Sequence, residues 1–66
     1  AAFELAAAHA RQGDFGPAFD RLLDVVQRDK GAARERARAQ LVEWFALCED
    51  RARVGRAQRL LGMYLN

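Results

Sequence analysis

The sequence reads as an all-α chain of four helices folded into two antiparallel helical hairpins. Two observations point there. Serine, threonine and isoleucine are absent from the 66 residues and valine is the only β-branched type, while alanine, leucine and arginine abound. Ala, Leu and Arg head the helix propensity ranking, and β-branched residues are the ones enriched in strands. Apolar residues also recur every three to four positions in four runs, separated by connections that contain Gly or Asp.

The first run, residues 2–12, sets Ala2, Leu5, Ala6, His9 and Ala10 on one side. It stops at Gly13, the residue that best tolerates the left-handed backbone closing a helix. Asp14 follows as a preferred N-cap, its carboxylate expected to accept from free backbone N–H groups of the next helix. Pro17 falls in that helix's first turn, where a missing N–H costs nothing. The second run, 15–28, carries a broad apolar face of Phe15, Ala18, Phe19, Leu22, Leu23, Val25 and Val26. Asp24 and Arg28 stand four apart on its other side as a supportive pair.

Asp29-Lys30-Gly31 breaks the pattern, with Gly31 as the hinge. The third run, 32–48, has the stripe Ala33, Ala37, Leu41, Val42, Trp44, Phe45 and Cys48. Asp50 is placed to cap the fourth, 51–65, which turns Val54, Ala57, Leu60, Leu61, Tyr64 and Leu65 inward. Helices this short do not persist alone in water, so mutual burial of the stripes must hold them. At 66 residues the chain is at most one small domain, near the size where a core is marginal.

Composition excludes several classes. One cysteine, Cys48, rules out an internal disulfide and a CxxC redox or zinc framework, which fits a reducing compartment. No run approaches the roughly 20 apolar residues of a membrane span, and no signal-peptide pattern is visible. The chain opens without Met, directly in a helical pattern, which suggests a piece of something longer. A net charge of +2 is a weak pointer to nucleic acid or acidic partners.

Residues 5–25 resemble a tetratricopeptide repeat, an α-solenoid unit: Leu5, Ala6 and His9 on the first helix, Gly13, Asp14 and Phe15 at the turn, then Ala18, Leu22 and Val25. Small Ala6 and Ala18 let the paired helices approach while larger neighbours lock them. His9 departs from the usual aromatic, and Lys30 stands near the usual helix-ending Pro. Residues 1–30 thus form a repeat hairpin and 31–66 a C-terminal hairpin.

Beyond that turn, Gly31-Ala32-Ala33-Arg34, Trp44-Phe45 and Arg59-Leu60-Leu61 resemble the C-terminal end of bacterial thioredoxin-like chaperedoxins. The resemblance covers essentially the whole chain. It implies a cytoplasmic co-chaperone with an upstream thioredoxin domain, whose helical part docks to the chaperonin GroEL or holds unfolded clients. Redox function does not carry over, because the thioredoxin domain and its cysteines are not in this chain. By position, the docking role maps to Arg56, Arg59, Leu60, Met63, Tyr64 and Leu65.

Catalytic chemistry finds little support. His9 is the only histidine, and its place in the repeat favours a core or half-buried structural role. Cys48 lies on an apolar stripe with no evident activating partner and reads as a small buried hydrophobe. No metal spacing is present, so no catalytic residue, cofactor or metal is expected.

Among the arginines, Arg34 and Arg38 share a helix face while Arg36 points nearly opposite, and Arg53, Arg56 and Arg59 form a spread band. Glu35 is placed to pair with Arg38 and Glu49 with Arg53. A solvated surface is the ordinary reading of such charges. A small basic helical nucleic-acid-binding or regulatory domain is the second reading, but Phe15, Phe19, Trp44 and Phe45 look like core rather than a stacking surface.

The last turns, LLGMYLN, are apolar on more than one side, which suits a helix awaiting a partner as well as one completing the core. The outer face of helix one, without an upstream repeat, is open to self-association. The sequence therefore favours a non-catalytic protein-interaction module.

Overall fold

A computed structural model describes residues 2–65, with side chains from residue 3 to residue 65. It contains four helices: α1 (Ala2–Arg11), α2 (Phe15–Arg28), α3 (Ala32–Leu47) and α4 (Arg51–Leu65). The expected runs and the observed helices agree to within a residue at every described end.

α2 is the hub. It alone approaches each of the other three helices closely along its length. Its Ala18, Phe19, Leu22, Leu23, Val25 and Val26 are all buried, so its apolar face wraps well past one side. Three alanines, Ala6 of α1, Ala18 of α2 and Ala37 of α3, are fully enclosed. Around them stand Leu22, Leu41, Val26 and Val54, together with an aromatic cluster in which Phe19 meets Phe45 edge-on at 5.1 Å and Phe15 meets Trp44 at 6.5 Å. Burying each large side chain contributes about 1.5–3 kcal/mol, and each well-oriented aromatic pair about 0.5–1.5 more. No polar or charged residue is buried among the described residues.

The first turn forms as its glycine foretells. Gly13 has φ +77°, the only positive value among the described residues. Its N–H donates to Ala10 O at 2.9 Å and that of Asp14 donates to His9 O at 2.9 Å, the paired closure of a Schellman motif. Asp14 then departs from expectation. Its carboxylate caps nothing, because the backbone at φ −95°, ψ 73° turns it back toward α1. There Oδ2 lies 3.7 Å from His9 Nδ1. Asp50 does act as a cap: its Oδ1 accepts from Arg53 N–H at 3.1 Å.

Four further expectations need correction. Leu65, expected to turn inward, is 37% exposed at the end of α4. Leu5 is 47% exposed, because α1 leans on α2 through Ala6 and Ala10, with Phe3 packed beside them. The Ala2 side chain lies outside the described residues. Val42 is 53% exposed, on the edge of the α3 stripe that α2 does not cover. Arg53 pairs with Asp50 at 3.5 Å rather than with Glu49, since the cap residue already sits beside it. The Asp24–Arg28 and Glu35–Arg38 pairs form, at 3.0 and 3.3 Å.

Candidate protein-docking surface

α4 is the helix on which charge and apolar surface meet. Its sequence, RARVGRAQRLLGMYL, holds four arginines and no acidic residue. Val54, Ala57 and Leu61 are buried against the core, and Leu60 and Tyr64 pack partly against it. Met63 is 68% exposed and Leu65 37%. The two readings of the last turns thus divide residue by residue: Leu61 completes the core while Met63 stands in solvent.

The six residues mapped to docking do not share one face. Arg56 and Leu60 line a cleft of about 390 Å³ between α2 and α4, floored by Phe19, Leu23 and Ala57. Asp20, Asp50 and Arg53 edge the same cleft. Gly16 forms its end, where a Cβ would run into the Arg53 guanidinium, so glycine lets that side chain lie flat on α2. Leu65 lines a second, shallower groove of about 450 Å³ between α3 and α4, with Val42, Phe45, Ala46, Leu61 and Gly62. Arg59 and Met63, four apart, form the ridge between the two grooves. Tyr64 stays on the inner flank, half-buried.

Several arginines do structural work that reading them as surface charge missed. Arg51 Nη1 donates to Phe45 O at 2.8 Å and to Cys48 O at 3.1 Å, capping the carbonyl end of α3. Arg34 Nε donates to Val26 O at 3.1 Å and Asp29 O at 2.9 Å, doing the same for α2. A cation suits a helix C-terminus both by hydrogen bonding and by the helix dipole. The available signal was position: each arginine stands a few residues past a helix end. Arg36 lies over the Phe3 ring at 4.3 Å, the side opposite Arg38, and ties α3 to α1.

These engagements thin out the basic field. Arg34, Arg36, Arg38, Arg51 and Arg53 all have partners within the fold. Arg56 and Arg59 are in no ion pair among the described residues. Phe19, Trp44 and Phe45 are buried and Phe15 is half-buried against them, so these four aromatics serve the core rather than a stacking surface.

The chemistry available is limited. His9 beside Asp14 is a base next to an orienting carboxylate, but the sequence holds no serine or threonine for it to activate. Cys48 is buried at the C-cap of α3, its Sγ facing Asp50 O at 3.9 Å. Among the described residues no group of acidic, His or Cys side chains could hold a metal, and no helix is long and apolar enough to cross a membrane.

The family model of the tetratricopeptide repeat matches residues 1–66. No curated protein and no solved structure matches the chain. The match agrees with the geometry: small Ala6 and Ala18 at the first helix crossing, and a glycine turn between short paired helices. The chain belongs to the tetratricopeptide repeat family.

Proposed function

We propose that the chain is the helical C-terminal part of a thioredoxin-like co-chaperone, acting in the cytoplasm as a non-catalytic module that docks to the chaperonin GroEL or holds unfolded clients. Tetratricopeptide repeats mediate protein–protein interaction, and the family match spans residues 1–66. The resemblance of Gly31–Arg34, Trp44-Phe45 and Arg59–Leu61 to chaperedoxin tails supports the finer reading.

The observation that carries it is on α4. Met63, 68% exposed, stands beside Arg59 on the outer ridge of α4, and neither Arg59 nor Arg56 of the adjoining cleft is in an ion pair among the described residues. Met is an adaptable contact residue, suited to partners of varied shape. Exposed apolar groups rimmed by cations favour a partner with apolar and acidic features.

Deleting the last turns is a poor test, because Leu61 is buried and Leu60 and Tyr64 pack on the core. Arg59→Glu with Met63→Glu alters only the outer ridge. The immobilised wild-type chain is expected to capture purified GroEL, and the double variant to lose it while keeping its helical circular dichroism and melting temperature. No capture by the wild type, or equal capture by the variant, contradicts the docking assignment.

A further inference from the structure

α3 and α4 are each held by α2 and scarcely by one another. They separate beyond the Cys48–Asp50 turn, and the groove left between them is mainly apolar, with Arg51 and Gln58 as its polar lining residues. In a helical solenoid each hairpin buries its open side against a neighbouring helix. Here α3 packs on α2, with Arg36 reaching across to the Phe3 ring of α1. The groove between α3 and α4 leaves Val42 and Leu65 exposed.

We propose that this groove accepts an amphipathic helix from a partner protein, about two turns of it in contact, with large apolar side chains on one side and Asp or Glu along the flank. The inference rests on the protein-interaction reading above and adds the location and chemistry of the partner. Val42, 53% exposed, and Leu65, 37% exposed, are the apolar walls. Ala46 and Gly62 are the small residues that let a helix backbone come close, and nothing lies within 4 Å of the place where a Gly62 side chain would start. Gln58 to Leu65 spans roughly 10 Å at 1.5 Å per residue, which sets the two-turn length.

Charge selects the acidic partner. Arg59 precedes Gly62 by three positions and its guanidinium folds back beside Gly55, along the same flank of α4. It has no ion pair among the described residues. Arg51 lines the groove itself; its bonds to Phe45 O and Cys48 O hold it in place without neutralising it. Arg38, one turn before Val42, is shared with Glu35, so α3 contributes less. α4 supplies no acidic residue to offset these cations.

The test uses two labelled synthetic helices of about 14 residues, four turns. Both carry the same leucine and phenylalanine face; one has glutamates on its flanks and the other lysines. Anisotropy titration of the 66-residue chain is expected to show the acidic helix binding at least about tenfold tighter than the basic one, with the gap narrowing from about 0.05 to 0.5 M salt. Amide shifts on binding are expected at Val42, Ala46, Gly62 and Leu65. Ala46→Glu is expected to weaken binding about tenfold or more with an unchanged melting temperature, and Ala52→Glu, in the α2–α4 cleft, to leave it unaltered.

Several results overturn the inference: equal affinity for the two helices, binding of neither, or shifts confined to Gly16, Asp20 and Ala52. So does a dimer by sedimentation that Ala46→Glu converts to monomer, since a second copy then fills the groove. Tighter binding of an oligonucleotide at the same amides does likewise. GroEL capture without binding of the acidic helix sinks this inference alone, whereas helix binding in the groove without GroEL capture sinks the co-chaperone reading alone.

Discussion

The two hairpins differ in how their helices are held. α1 and α2 pack directly on each other, joined by a closed glycine turn and the fully enclosed alanines Ala6 and Ala18. α3 and α4 share a three-residue connection but lean separately on α2, so the second hairpin keeps a mainly apolar groove between its helices. Exposure of large apolar side chains follows the same division: Val42, Leu47, Met63 and Leu65 of the second hairpin are exposed, against Leu5 in the first among the described residues. One hairpin uses its apolar residues to hold the fold, and the other keeps several of them available.

The contrast is tested first by truncation. Phe19→Ala, in the centre of α2 and 2% exposed, is expected to cost about 3–5 kcal/mol, most or all of the stability of so small a domain. Val42→Ala, on the open edge of α3, is expected to fall within about 0.5 kcal/mol of wild type. Urea denaturation followed by circular dichroism reads both, and a cost for Val42 close to that for Phe19 means the groove is closed. Arg51→Met keeps most of the side chain's bulk but removes two bonds to α3 carbonyls. A loss of about 1–2 kcal/mol is expected in the same titration.

The caps differ between hairpins as well. Asp50→Ala removes a cap bond to Arg53 N–H and is expected to cost about 1 kcal/mol. Asp14 makes no such bond, so Asp14→Ala is expected to cost only a few tenths. Equal melting-temperature shifts for the two variants contradict that difference. One effect has the opposite sign: Gly62→Ala, with open space around it, is expected to stabilise by up to about 1 kcal/mol through helix propensity.

Much of this architecture is legible in the residues themselves. Gly13 requires its turn, the apolar period marks all four helices, and Asp50 caps α4 as its type and position suggest. The errors share a physical origin. Periodicity defines a face about 100° wide but not which edge of it a neighbour covers. Leu5 and Val42 therefore fell on the wrong side of that line once α2 chose Ala6 and Leu41 as contact centres. Asp14 has the right type for a cap, yet the Schellman bonds holding its N–H set a ψ that aims its carboxylate at His9. The candidate site was half legible: its apolar and basic residues could be named from the last turns of α4. Their division between two grooves could not, because it depends on α3 and α4 parting over α2.

Amide hydrogen exchange on the 66-residue chain measures that dependence on α2. The slowest amides are expected in the middle of α2, from about Phe19 to Val26, exchanging only through global unfolding, with Met63 to Leu65 of α4 exchanging far faster through local opening. Protection in the last turn of α4 equal to that in α2 would contradict a fold built on one central helix with a lightly held outer one.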